Sequence, residues 1–336
     1  MTYYKGTAMV VNQFLRKAGG RSTLSGRAVL LALTVSLAET HFSQVVLRSD
    51  LVLIPVTARD KQGNYVTDLQ AEEFKLFDSG KPQPIAFVSS ESDANQLARP
   101  LALTLLLDTS RSISAVLHQQ RSAVTSLLNR LGERTLVSLI SFSQRPEILL
   151  EFTADKTEAL NAFFRHQRIG GDTAIFDALS FALKNIEALS EEGRRKIVVI
   201  ISDGLDTASE VSFRDCVQLA EADGVAVYSI LIPIYSPYGD RLVVRRPTKG
   251  FVEIAEETGG KFFQVGTVEQ ALNPSAQLDL GPVFEAIVED LGHQYYLGFY
   301  PPENNAPGFH RLDVRVGRKN VKVEVRRRGY VTRSSP

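Results

Sequence analysis

The chain holds a single cysteine, Cys216, so no disulfide can close within it. Cys216 lies in an amphipathic helical stretch, FRDCVQLAEA, and reads as a small core residue rather than a reactive thiol. Neither sign of charge is in excess: 38 Lys and Arg face 38 Asp and Glu in 336 residues. Nothing global therefore draws the chain to nucleic acid or an anionic membrane. The histidines, His41, His118, His166, His293 and His310, are scattered, and no H-E-x-x-H pairing occurs. A G-x-S-x-G elbow and a G-x-x-x-x-G-K-[ST] phosphate loop are also missing, which leaves enzyme readings with little support. Repeats and low-complexity tracts are absent.

What is present is ordinary globular composition, 44% hydrophobic and 23% charged, in a chain long enough for two domains. Residues 1–44 read as a targeting segment. Lys5, Arg16, Lys17, Arg21 and Arg27 precede an apolar run at 28–38 (AVLLALTVSLA), with no acid before Glu39. The run is short for a spanning helix, which needs about 20 residues, and suits a signal-peptide core. Ser36-Leu37-Ala38 is a small-x-small cleavage site. The expected location is secreted or periplasmic, with an uncleaved membrane anchor over 28–38 as the alternative.

The stretch 101–112, LALTLLLDTSRS, organises the rest. An apolar run without polar alternation suits a central strand of a parallel sheet covered on both faces. Such sheets bind ligands beyond the C-terminal ends of their strands. Asp108, Ser110 and Ser112 lie at that end, and all three offer hard oxygen donors suited to Mg²⁺, Mn²⁺ or Ca²⁺. Two further stretches repeat the pattern. Gly170-Gly171-Asp172-Thr173 precedes a helical segment over 174–189, and the apolar run KIVVIIS at 196–202 ends at Asp203-Gly204.

The D-x-S-x-S at 108–112, the Thr173 loop and the Asp203-Gly204 turn resemble the metal-ion-dependent adhesion site of von Willebrand factor type A domains, over about residues 99–292. The resemblance implies a divalent ion, Mg²⁺ or else Mn²⁺ or Ca²⁺, held by Asp108, Ser110, Ser112, Thr173 and Asp203. An Asp or Glu carboxylate of a partner protein would fill its open position. Adhesion through metal, not turnover, is the implied chemistry. Arg111 stands where the family often has Gly. Asp172, Asp177 and Asp206 are placed outside the direct ligands, Asp206 as a turn acid. The rival readings are a metal-dependent phosphoesterase and a scaffold whose metal only stabilises loops.

Strands alternating with helices from residue 100 to 292 predict an α/β fold, a doubly wound, mostly parallel six-stranded sheet. Residues 45–92 differ in texture: short strands are divided by Gly, Asp and Asn turns. Residues 293–333 are also strand-like, with 309–316 and 320–327 expected to pair as a β-hairpin around Gly317-Arg318-Lys319. Neither terminal set has enough partners to bury an apolar face alone, so both are expected in one small β-sandwich into which the α/β domain is inserted. The order of these terminal motifs is similar to a bacterial, Acidobacteria-type, von Willebrand A-related family. From Phe309 to Arg333 nine basic residues face Asp313 and Glu324. Their alternation with valines assigns them to a solvated hairpin face. Residues 236–246, SPYGDRLVVRR, form a Pro/Gly/Arg-rich excursion between a strand and a helix.

Overall fold

The structure is a computed structural model that describes residues 51–91, 100–110, 113, 116–117, 120–164, 170–189, 194–267, 270, 278–302 and 305–332. The expected targeting segment, Arg111 and Ser112 lie outside these residues.

The central sheet has six strands: β5 (Leu101–Asp108), β6 (Thr135–Phe142), β7 (Pro146–Thr153), β8 (Arg195–Ser202), β9 (Ala226–Leu231) and β12 (Phe262–Gln264). Their spatial order is β12-β9-β8-β5-β6-β7. All neighbours are parallel except β6 and β7, which form an antiparallel edge. Every residue of β5 is buried, because both sheet faces are covered. The period-2 alternation of a strand sorts its side chains. Leu101, Leu103, Leu105 and Leu107 join one core with Ile197, Val199 and Ile201 of β8. Ala102 and Leu106 join the opposite core with Val198 and Ile200.

Helices α1 (Arg121–Arg130), α2 (Lys156–Phe163) and α6 (Gly281–Gly292) cover the first face. Helices α3 (Ile175–Glu187), α4 (Phe213–Asp223) and α5 (Glu253–Thr258) cover the second. Helix α1 begins at Arg121. Gln120 lies outside it, its amide donating to Val116 O and Leu278 O and accepting from Leu280 N. At the end of α4, Gly224 takes the left-handed conformation that closes a helix, at φ 66°.

The segments flanking this α/β layer form two four-stranded antiparallel sheets. One orders β15 (Lys322–Val325), β1 (Val52–Arg59), β13 (Gln294–Phe299) and β4 (Phe87–Ser90). The other orders β16 (Gly329–Thr332), β14 (Gly308–Val316), β2 (Phe74–Asp78) and β3 (Lys81–Gln83). Ile54 and Val56 from the first sheet share a core with Leu76, Leu312 and Val314 from the second, so the two form a sandwich. Strands from both ends of the sequence pair within it, with Ile54 opposite Leu297 and Val314 opposite Leu76. The α/β layer is inserted between them.

The expected hairpin of 309–316 with 320–327 does not form. β14 pairs with β2 and β16, while β15 crosses to the other sheet and pairs with β1. Each strand completes a different sheet, and the turn with Asn320 at φ 66° carries the chain across the sandwich. The basic residues are accordingly not one solvated row. Arg318 binds Asp68 and Glu73, and Arg326 is 7% exposed. The Arg326 guanidinium donates to Asp290 Oδ1 at 2.8 Å, Glu324 Oε2 at 2.9 Å and Thr57 Oγ1 at 3.1 Å. Asp290, on α6, also accepts from the hydroxyls of Tyr228 and Tyr65 and pairs with Lys261. This cluster fastens the sandwich to the α/β layer. It needs Gly259 beside it: a Cβ there would lie 1.6 Å from Arg326 O, and φ is +83°.

Candidate metal centre at the C-terminal edge of the sheet

Asp108 is the last residue of β5 and is 0% exposed. Its Oδ1 accepts from the Ser110 amide at 2.8 Å, and its Oδ2 accepts from Ser202 Oγ at 2.7 Å. Ser202 ends β8, the neighbour of β5, and its hydroxyl also accepts from Gly204 N at 3.0 Å. Asp203 follows, buried, with Oδ1 accepting from Leu205 N at 3.0 Å.

Ser110 is buried and forms a parallel bridge with Gly170, whose amide donates to Thr109 O at 3.3 Å. That bridge carries the 170–174 loop to the end of β5. Ala174 N donates to Ser143 O beyond β6, which seats the loop against a third strand end. A Cβ on Gly170 would lie 2.2 Å from Ser143 Cβ, so the close approach requires glycine.

Thr173 is buried, and its backbone is bound to the loop after Asp203. Thr173 N donates to Thr207 Oγ1 at 2.9 Å, and Thr173 O accepts from Thr207 N at 2.8 Å. The same loop caps α3: Asp206 Oδ1 accepts from Ile175 N at 2.7 Å, and Ser209 Oγ accepts from Phe176 N at 2.9 Å. Asp177 answers from the first turn of α3, its Oδ1 accepting from Glu210 N at 3.0 Å and Val211 N at 2.8 Å. Asp206 is therefore a helix cap supplied from a distant loop.

Of the residues expected at the site, the structure thus brings Asp108, Ser110, Thr173 and Asp203 to one sheet edge; Ser112 lies outside the described residues. The sequence reading missed Ser202, Thr207 and Ser209. Ser202 carried one signal, a hydroxyl residue closing an otherwise apolar strand next to Asp203.

Burial pushes the Asp108 carboxyl above the ordinary carboxylate range. Hydrogen bonds from Ser202 and Ser110 pull it down, and the negative charge of Asp203 raises it further. The partners of Asp108 are a neutral hydroxyl and a neutral amide. A buried carboxylate beside a second one, held by neutral donors, suits a cation, which offsets both charges. Hydroxyl and carboxylate oxygens are hard donors for Mg²⁺, Mn²⁺ or Ca²⁺. Among the described residues no group of three or more His, Cys, Asp or Glu could hold a metal ion. A cation here depends on the hydroxyls as well as the acids.

The family profile of the von Willebrand factor type A domain matches residues 102–277. An uncharacterized protein of Borreliella burgdorferi is 20% identical over 236 residues, covering 66% of this chain. The chain spans 63% of that relative's length. Solved structures similar at low identity include the following. An aerotolerance-related membrane protein from Bacteroides fragilis is 19% identical, with TM-score 0.42, over 57% of this chain and 98% of its own. BatB from Bacteroides thetaiotaomicron is 19% identical, with TM-score 0.41, over 57% of this chain and 97% of its own. Proximal thread matrix protein 1 from the mussel byssus, solved with a zinc-occupied MIDAS motif, is 18% identical, with TM-score 0.46, over 60% of this chain and 48% of its own.

Proposed function

The chain belongs to the von Willebrand factor type A domain family, and from that premise we propose that it is a binding protein whose sheet edge takes an acidic partner through a divalent cation. Asp108, Ser110, Ser112, Thr173 and Asp203 hold the ion, directly or through ordered water. Mg²⁺ is the favoured ion, with Mn²⁺ or Ca²⁺ accepted by the same oxygens. An Asp or Glu side chain of a partner protein completes the coordination. The single observation that carries this reading is the buried Asp108 carboxylate, set beside Asp203 and satisfied by neutral donors.

The chain acts by binding and not by turnover. In support, the histidines among the described residues, His293 and His310, both bond backbone carbonyls, Glu289 O and Ala306 O. Among the described residues no helix is long and apolar enough to cross a membrane. Export to the periplasm or the exterior follows if residues 1–44 act as a signal, and membrane attachment follows if they are retained.

The test is a pull-down from the source proteome with the chain as bait, in Mg²⁺ and in EDTA, beside Asp108→Ala. Partners held in Mg²⁺ and released by both EDTA and the substitution carry the proposal. Partners indifferent to both contradict it and favour a scaffold.

A further inference from the structure

The excursion between β9 and α5 plays no part in the cation chemistry, yet both its legs are tied to the Asp203 turn. It folds as an antiparallel hairpin of β10 (Tyr235–Tyr238) and β11 (Arg241–Val244), with Tyr235 opposite Val244 and Tyr238 opposite Arg241. The outgoing leg leaves β9 beside the candidate site: Leu231 pairs with Ser202, and Ile232 N donates to Ser202 O at 2.9 Å. The returning leg is bonded to the turn itself. Thr248 N donates to Gly204 O at 2.8 Å, and Thr248 Oγ1 accepts from Asp206 N at 2.9 Å. Gly204 has φ +73°, and a Cβ there would lie 2.6 Å from Pro247 Cβ. The hairpin is thus fixed to the same sheet edge as Asp108 and Asp203.

Its surface has a definite chemistry. Arg241, Arg245, Arg246 and Lys249 are exposed, with Asp240 as the acid among them. Among the described residues none of these four cations is in an ion pair. The whole chain is neutral, so this positive excess is local. Tyr238 is 77% exposed and Val243 40%. The two strands pair only with each other among the described residues, so their outer edges keep backbone groups for an extended segment.

We propose that this hairpin is a specificity arm that docks an acidic, extended peptide segment of the partner, next to the carboxylate that the cation takes. The proposal rests on the reading of the site given above. The two acidic demands complement each other: the cation takes one carboxylate, and Arg241, Arg245 and Arg246 attract its neighbours. Tyr238 supplies the rigid amphipathic contact common at such interfaces.

The experiment measures fluorescence anisotropy of labelled deca-glutamate and of a labelled Gly/Ser peptide bearing one central Asp. The full chain is compared with Arg241→Ala/Arg245→Ala/Arg246→Ala and with Asp108→Ala, in Mg²⁺ and in EDTA. Circular dichroism checks that each variant is folded. Deca-glutamate is expected to bind the parent more tightly than the single-Asp peptide by about tenfold. The triple variant should lose that preference and keep the Mg²⁺-dependent binding of the single-Asp peptide. A parent with no preference for deca-glutamate, or a triple variant that retains it, overturns the proposal. Equally tight binding of an oligothymidylate of the same charge would assign the arm to a generic polyanion and also overturn it. Single-Asp binding unchanged by EDTA and by Asp108→Ala, with the deca-glutamate preference still lost in the triple variant, supports the arm while sinking the cation site.

Discussion

Ser202 Oγ donates a 2.7 Å hydrogen bond to Asp108 Oδ2, joining the ends of two neighbouring parallel strands across the candidate cation site. The same hydroxyl accepts from Gly204 N, so it orients the Asp108 carboxylate and fixes the turn that presents Asp203. Ser202→Ala leaves a buried carboxylate oxygen and a buried amide without this partner. The expected loss is about 1–3 kcal/mol of stability, read by urea unfolding. Cation affinity should fall as well, since the carboxylate loses its orienting bond. Unchanged stability and affinity would show that Ser202 orients nothing.

The loop bearing Asp206 is predicted to act on the site without touching the ion. Asp206→Ala removes the acceptor for Ile175 N at the start of α3 and the bond to Ser209. Loss of such a cap costs about 1 kcal/mol, and the Thr173 backbone loses part of its support. Cation affinity should fall as that support is lost. Isothermal titration of the variant checks this, and parent-like affinity would separate the loop from the site.

Asp290 is predicted to join the sandwich to the α/β layer. Burial alone would raise its carboxyl, but the charges of Arg326 and Lys261 and the hydrogen bonds around it carry it below the ordinary 3.8. Because the folded value is depressed, its contribution to stability is fully present above the ordinary value. It is lost as pH falls through the folded value. Asp290→Asn leaves Arg326 and Lys261 short of a counter-charge and should cost about 3 kcal/mol at neutral pH. The difference between parent and variant in thermal unfolding should shrink in strong acid. A difference independent of pH would contradict this account.

The Cys216 thiol is pushed up to about 12, first by burial and then by the charges of Asp215 and Asp177. Its sulfur donates to Phe176 O at 3.3 Å. Buried and held as the neutral thiol at pH 8, Cys216 should resist iodoacetamide in native protein and react fully in denatured protein. Rapid labelling of the native chain would place Cys216 outside the core.

Strand ends were legible where an apolar run stopped at a polar residue, as at Asp108 and at Asp203. The doubly wound sheet followed from the alternation of such runs with helices. What the sequence did not reveal depends on contacts between distant segments. Asp206 reads locally as a turn acid, and only the packing of its loop against α3 makes it a cap. The strands at 309–316 and 320–327 show the same limit. Their alternation of valine with charge marks which residues face inward, but it does not say which strand lies alongside. β14 and β15 consequently belong to different sheets, and Arg326 faces the buried carboxylate of Asp290 instead of water.

The central claim is that Asp108 organises a divalent-cation site, and titration calorimetry tests it most directly. Mg²⁺ and Mn²⁺ are titrated into the chelator-stripped chain, with Asp108→Ala beside it and circular dichroism as a check of folding. The account predicts saturable binding at one site in the parent and none in the folded variant. Binding that persists unchanged in Asp108→Ala, or a parent that binds neither ion even with an acidic peptide present, would contradict it.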